Sequence, residues 1–181
     1  MPVMPIRLVS ADAERYTRIR LRMLTQAPWA YARTPDDDPG LDLANLAARL
    51  AEPEYAIFAV EEAQVGLPSG KPPATPRSEL VAVAGIVRMQ GPKFAHRAKV
   101  WGVFVEPAYR GRGLGRLVLQ AAIDLARTWE GVDYVDLGVS ENSPEALHLY
   151  QSLGFRVWGR EPETTQYGDR RFDEIFMTLK L

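Results

Sequence analysis

The sequence contains no cysteine and only two histidines, His96 and His148. The first absence excludes disulfides, thiolate metal ligands and a covalent thiol mechanism. The second leaves no HxxxH-type spacing, so no metal site is expected. Long hydrophobic runs are missing as well. No stretch reaches the roughly 18 apolar residues of an ordinary membrane span. The opening MPVMPIRLVSADAERY has no basic segment followed by an apolar run, so no signal peptide is expected. Nor does one sign of charge prevail: 22 Lys and Arg stand against 23 Asp and Glu. A net charge of -1 gives no global pull toward nucleic acid or an anionic membrane. These exclusions leave a single domain over residues 1–181 as the expectation, placed in the cytoplasm and large enough for one hydrophobic core.

What is present alternates between strand and helix signals. IRLVS reads as a first strand, after which Tyr16, Ile19, Met23 and Ala27 recur at helical spacing. PDDDPG, residues 35–40, reads as a solvated turn before a second helix through Leu43, Leu46 and Leu50, ended by Pro53. EYAIFAVE and ELVAVAGIVRM are strands. Between them GLPSGKPPATPRS, residues 66–78, is a proline-rich surface loop. It is no phosphate loop, because its GxxxGKP has the wrong spacing and proline replaces the Ser/Thr that would hold magnesium. KVWGVFVEP is a β-branched, aromatic strand. Leu114, Leu117, Val118, Ala121, Ala122, Leu125 and Trp129 then form the cleanest helical stripe in the chain. DYVDLGV is a strand, and SPEALHLYQSLG reads as a helix with Ser143 as cap, Pro144 in the first turn and Gly154 at its end. FRVWGRE and RFDEIFMTLKL close the chain. Seven strand signals, first in meander and later in βαβ order, predict a mixed α/β (α+β) sheet with helices on both faces.

The strongest local signal is EPAYRGRGLGRLVLQ, a glycine turn between strand and helix. The first four N–H groups of that helix lack intrahelical partners, and the dipole makes this end positive. Gly111, Gly113 and Gly115 let backbone approach a bulky anion, and Arg110, Arg112 and Arg116 add charge around it. The pattern is an anion cradle suited to a diphosphate. A dinucleotide fingerprint fits poorly. Arg116 stands in place of its final glycine, and Leu137, Gly138 and Val139 stand where the acidic residue belongs.

Arg110-x-x-Gly113-x-Gly115 after GVFVEP resembles the acyl-CoA signature of the GNAT N-acyltransferase superfamily. ENSPEALHLYQSLGFRVWG is similar to its other motif, a strand-end Asn followed by a helix carrying Ala and Tyr, then LGF. The resemblance implies a mostly antiparallel central sheet flanked by helices, with two diverging central strands and acetyl-CoA as acyl donor in the wedge between them. It implies that Val103, Phe104 and Val105 offer backbone groups to the pantetheine arm. Arg110, Gly111, Arg112, Gly113, Leu114, Gly115 and Arg116 would hold the pyrophosphate. Asn142 would touch the pantetheine, and Tyr150 would protonate the leaving thiolate. The implied partners are an acyl-CoA and an amine acceptor, and homodimers are a common assembly.

Such a reaction needs no covalent enzyme intermediate, because a thioester is already activated. The enzyme aligns two substrates, stabilises an oxyanion and manages two protons. A tyrosine suits the thiolate, since model acidities of thiol and phenol lie at roughly 8.5 to 10. For the acceptor's proton the sequence offers Glu141 and Glu106, with His96 a weaker candidate. Leu137 occupies the position where ribosomal-protein N-terminal acetylases of the superfamily carry a glutamate. Structural alternatives stand beside each assignment. Glu106 and Glu141 fit surface acids, Tyr150 a core tyrosine, His148 a surface residue, and the three aspartates a solvated turn or an acidic acceptor entrance. Two function classes follow: an N-acyltransferase, or a regulatory module that binds acyl-CoA without efficient chemistry.

Overall fold

The computed structural model describes residues 2–66 and 79–181. All but the first residue of the proline-rich segment 66–78 lies outside the described residues. The elements run β1 (Ile6–Arg7), α1 (Ala13–Gln26), α2 (Leu43–Leu50), β2 (Tyr55–Glu61), a single turn α3 (Glu62–Val65), β3 (Leu80–Arg88), β4 (Arg97–Val105), α4 (Leu114–Arg127), β5 (Tyr134–Ser140), α5 (Pro144–Ser152), β6 (Arg156–Tyr167) and β7 (Arg170–Lys180). The strands form one seven-stranded sheet in the order β1-β2-β3-β4-β5-β7-β6. Every pairing is antiparallel except β4 with β5. The expected mixed, mostly antiparallel sheet flanked by helices is what the chain forms.

Strand alternation sorts side chains between two helical layers. Val135, Leu137 and Val139 of β5 join Ala98 and Val100 of β4 in a core with Leu119, Ala122, Ile123 and Ala126 of α4 and Tyr150 of α5. On the other face, Tyr16, Ile19 and Met23 of α1 and Leu46 and Leu50 of α2 pack over Ile57, Ala59, Val83 and Phe104. Burial of these apolar faces is the main stabilising term, at about 25 cal/mol per Å² removed from water.

Three expectations need correction. The first strand is two residues long, because a 3-10 turn at Ser10–Asp12 follows, with Asp12 accepting from the Val9 N–H at 3.1 Å. Trp129 lies past the end of α4 at Arg127, and its N–H closes the last turn on the Ala126 carbonyl. Ser143 makes no side-chain cap. Its backbone serves instead, the N–H donating to Ser140 and the carbonyl accepting from Leu147.

The feature that positions the site is the seam between β4 and β5. Only Arg97, Ala98 and Lys99 pair with Tyr134, Val135 and Asp136. Beyond these three pairs the strands separate, and a gap opens toward the C-terminal ends of both. Within β4, Gly102 and Val103 oppose the single residue Ala84 of β3, a bulge for which Gly102 takes a left-handed φ of 59°.

Candidate active site

The glycine turn stands at the mouth of this gap. Gly111 and Gly113 both have φ of 75°, a conformation that favours glycine, and Gly113 is the residue from which α4 starts. A Cβ added to either would meet nothing within 4 Å, so the backbone presents an open concave face. Gly115 is glycine for a different reason: a Cβ there would press on Leu149 at 3.3 Å and Val105 at 3.4 Å. The first intrahelical bond of α4 runs from the Leu117 N–H to the Gly113 carbonyl, so the N–H groups of Leu114, Gly115 and Arg116 lie ahead of the helical ladder. Positive φ, open space and the N–H groups ahead of the helical ladder together fit a diphosphate.

The arginines divide their work. Arg110 folds back to donate from Nε to the Val105 carbonyl at 3.1 Å. Arg112 lies over the Tyr109 ring and reaches the Val65 carbonyl. Arg116 ties α4 to the end of α5 by donating to Ser152 Oγ at 2.9 Å.

Along the gap, β4 shows alternate backbone groups. The Glu106 N–H is taken by Val81 of β3, and Phe104 pairs with Val83. By alternation Val105 and Val103 face the gap instead. Their carbonyls are occupied: Arg110 bonds that of Val105, and Tyr31 Oη donates to that of Val103 at 3.0 Å. Among the described residues the N–H groups of these two valines have no partner on β5, whose pairing with β4 ends at Lys99. Among Val103, Phe104 and Val105, then, only the outer two offer backbone to a ligand.

Tyr150 is 6% exposed, and its ring packs edge-on against Phe155. Burial raises its pKa well above the usual phenol range, and the nearby Tyr31 hydroxyl adds to this. The two tyrosines approach the gap from opposite layers, Tyr150 from α5 and Tyr31 from the segment after α1. Among the described residues the Tyr150 hydroxyl makes no hydrogen bond. Asn142 is exposed at the end of β5, where the chain turns into α5.

The acidic candidates are placed differently. Glu106 accepts from Arg22 Nε at 2.5 Å, within a network that joins Arg22 and Arg18 to Glu79. Glu141 accepts from Arg160 at 2.5 Å and from the Asp173 N–H at 3.1 Å. Each carboxylate is held by an arginine. His96 lies at the opposite end of β4, its ring edge-on to Tyr134, and His148 is exposed on α5. Leu137 is buried in the α4 layer.

The aspartate run is a correction. Asp36 and Asp37 are exposed, but Asp38 is buried and receives Arg20 through Nε at 3.1 Å and Nη2 at 2.5 Å. Arg20 in turn lies 5.5 Å from the Tyr31 ring centroid. Among the described residues the buried Arg20 Nη1 and Tyr16 Oη have no hydrogen-bond partner, and both lie within 4 Å of where a Gly102 Cβ would be. A buried charge pair thus braces the tyrosine that holds the bulged strand. Sequence reading missed Arg20. It also missed Glu174, a half-buried carboxylate on β7 lying against Gly138, where any Cβ would collide with it.

A sheet opened between two parallel strands, with a glycine turn and helix N-terminus at the opening, is the arrangement of the GNAT fold. The acetyltransferase (GNAT) family model matches residues 21–155, and the chain belongs to that family. It is 41% identical over 80 residues to the L-amino acid N-acyltransferase MnaT of Escherichia coli, covering 44% of this chain and 45% of that protein. It is 42% identical over 81 residues to the N-alpha-acetyltransferase RimI of Mycobacterium tuberculosis, covering 44% and 48%. The matched region spans less than half the length of these curated relatives. An acetyltransferase structure from Salmonella typhimurium with its cofactor acetyl-CoA superposes at a TM-score of 0.78 and 24% identity, over 99% of this chain and 94% of that one. This last likeness supports the fold. Among the described residues no helix is long and apolar enough to cross a membrane, and no group of His, Asp or Glu could hold a metal.

Proposed function

We propose that the protein is an acyl-CoA-dependent N-acyltransferase, with acetyl-CoA as donor and a primary amine of a small molecule or peptide as acceptor. The observation that carries this reading is the left-handed glycine pair, Gly111 and Gly113, opening onto the gap where β4 and β5 part. The relatives' names, an L-amino acid N-acyltransferase and an N-alpha-acetyltransferase, agree with an amine acceptor.

In this mechanism the N–H groups of residues 114–116 and the turn hold the diphosphate, and Arg110 and Arg112 add positive charge. The N–H groups of Val103 and Val105 engage the pantetheine arm and the acyl oxygen, where a preorganised donor stabilises developing negative charge. Asn142 borders the arm at the end of β5. Tyr150, kept neutral by burial, gives its proton to the departing sulfur. The thioester supplies the activated acyl group.

The test is release of free thiol from acetyl-CoA against a panel of amines, amino acids and short peptides, beside a Tyr150→Phe variant. Turnover on one acceptor class, reduced about 100-fold or more in the variant with donor affinity intact, supports the enzyme and the acid together. Tight acetyl-CoA binding without turnover on any acceptor favours a regulatory acyl-CoA module instead.

A further inference from the structure

We propose that Glu174 takes the acceptor's ammonium proton, from the sheet face opposite α4 and α5. This rests on the N-acyltransferase reading and names the base that the reading leaves open.

The placement follows from register. Val135, Leu137 and Val139 point into the α4 layer, so Asp136, Gly138 and Ser140 face the other way. Glu174 pairs with Ser140, Phe176 with Gly138 and Thr178 with Asp136, which puts these β7 side chains on that same outer face. Gly138 lies just beyond the last β4–β5 pair, Lys99 with Asp136. The Glu174 carboxylate lies against Gly138, at the apex of the gap, and the missing Cβ is what admits it.

A cavity of about 450 Å³ opens on this face, with Lys99, Asp136, Gly138, Trp158 and Phe176 in its lining; Glu174 is not part of that lining but adjoins it, lying against Gly138. Trp158 stacks on Phe176 with centroids 5.5 Å apart, yet is 64% exposed, giving the cavity an apolar wall. The 3-10 turn Pro28–Ala30 packs on β5 and β6 beside it. This is a recess for an organic acceptor, on the opposite side of the sheet from the glycine-turn helix.

The neighbouring charges single out Glu174. Asp136 is neutralised by Arg97 through two bonds of 2.5 and 2.6 Å. Asp173 and Glu141 share Arg160. Among the described residues Glu174 makes no hydrogen bond or ion pair. Lys99 of β4 and Glu161 of β6 face it, the first favouring its charge and the second opposing it. Partial burial is the larger influence and lifts its pKa above the ordinary glutamate value. A carboxylate shifted this way is a better proton acceptor near neutral pH.

The balance is simple. Glu174 removes one proton from the acceptor ammonium and leaves a neutral amine. The nitrogen–acyl bond forms as the carbon–sulfur bond breaks. Tyr150 supplies the sulfur's proton and is replenished by the second proton lost from nitrogen. One proton in all is released, from Glu174 to solvent.

The experiment compares wild type and Glu174→Gln for thiol release across pH, with acetyl-CoA affinity measured alongside as a check of folding. Two acceptors are used: an ordinary primary amine, and an alkoxyamine that is already neutral at pH 7. We expect kcat for the ordinary amine to fall about 100-fold, and the acidic limb of its pH profile to lose the enzyme's contribution. Donor affinity should stay within twofold, and the alkoxyamine should react nearly as fast as with wild type. Unchanged kcat and pH profile for the ordinary amine overturn the Glu174 assignment and leave the enzyme reading intact. An equal loss with both acceptors makes Glu174 a structural residue and also overturns it. No turnover by wild type with any acceptor removes the enzyme reading, and the base with it.

Discussion

Tyr31 donates its hydroxyl to the carbonyl of Val103 at 3.0 Å, joining the segment after α1 to the bulged strand at the edge of the gap. That carbonyl would otherwise face the gap without a partner. Tyr31→Phe should lower stability by about 1 kcal/mol, the typical net value of one such bond. For a chain of this size this lowers Tm by about 2–4 °C. Thermal unfolding, paired with acetyl-CoA titration, is the check. A weakened donor affinity beyond the stability loss would mean that the bond also sets the bulge geometry.

Gly113→Ala tests the turn. No atom would be struck by the new methyl group, so the cost is conformational, about 1–2 kcal/mol for holding an alanine left-handed. The expected outcome is a weaker Kd for both CoA and acetyl-CoA by the same factor, measured by calorimetry. A loss confined to acetyl-CoA would place the effect at the acyl end and contradict the cradle.

Asp38→Asn removes one partner of a buried pair and leaves Arg20 charged and enclosed. Losses of about 3–5 kcal/mol are usual for such half-broken pairs. Denaturant unfolding should show most of this deficit, while a double replacement of Arg20 and Asp38 by apolar residues should recover much of it. Equal deficits in single and double variants would show that the pair is not where the cost lies.

Burial raises the pKa of several tyrosines, to about 12 for Tyr55 and Tyr109 and further for Tyr16, Tyr31 and Tyr150. The folded state therefore keeps phenolic protons that the unfolded chain releases near pH 10. Stability should be level below that value and fall as pH rises through 10 toward 12, by up to about 1.4 kcal/mol per pH unit for each tyrosine so held. Unfolding midpoints in urea from pH 8 to 11.5 test this. A flat profile would mean that the phenols ionise within the fold.

The parts legible from sequence were those written in local patterns. The stripe through Leu114, Val118 and Ala122 marked α4, and the glycines at 111 and 113 marked a turn before it that could admit an anion. What stayed hidden depends on partners distant along the chain. Asp38 looked like one of three solvated acids, because the arginine that buries it lies on α1. Gly102 looked like an ordinary strand glycine, since its bulge exists only against Ala84. Glu174 sat unremarked in RFDEIFM. Its meaning comes from pairing with β5, and from a glycine there that leaves room for a carboxylate. The same limit explains Glu106 and Glu141, whose arginines come from α1 and β6.

If donor and acceptor enter the gap from opposite faces of the sheet, they share the reacting centre but scarcely any wall. Substitutions at Trp158, Phe176 or the 28–31 segment could then retune which amine is taken without disturbing the turn at 111–113. Acceptor choice would be an independently adjustable property, and variants of this chain could diverge in substrate while keeping the same cofactor grip.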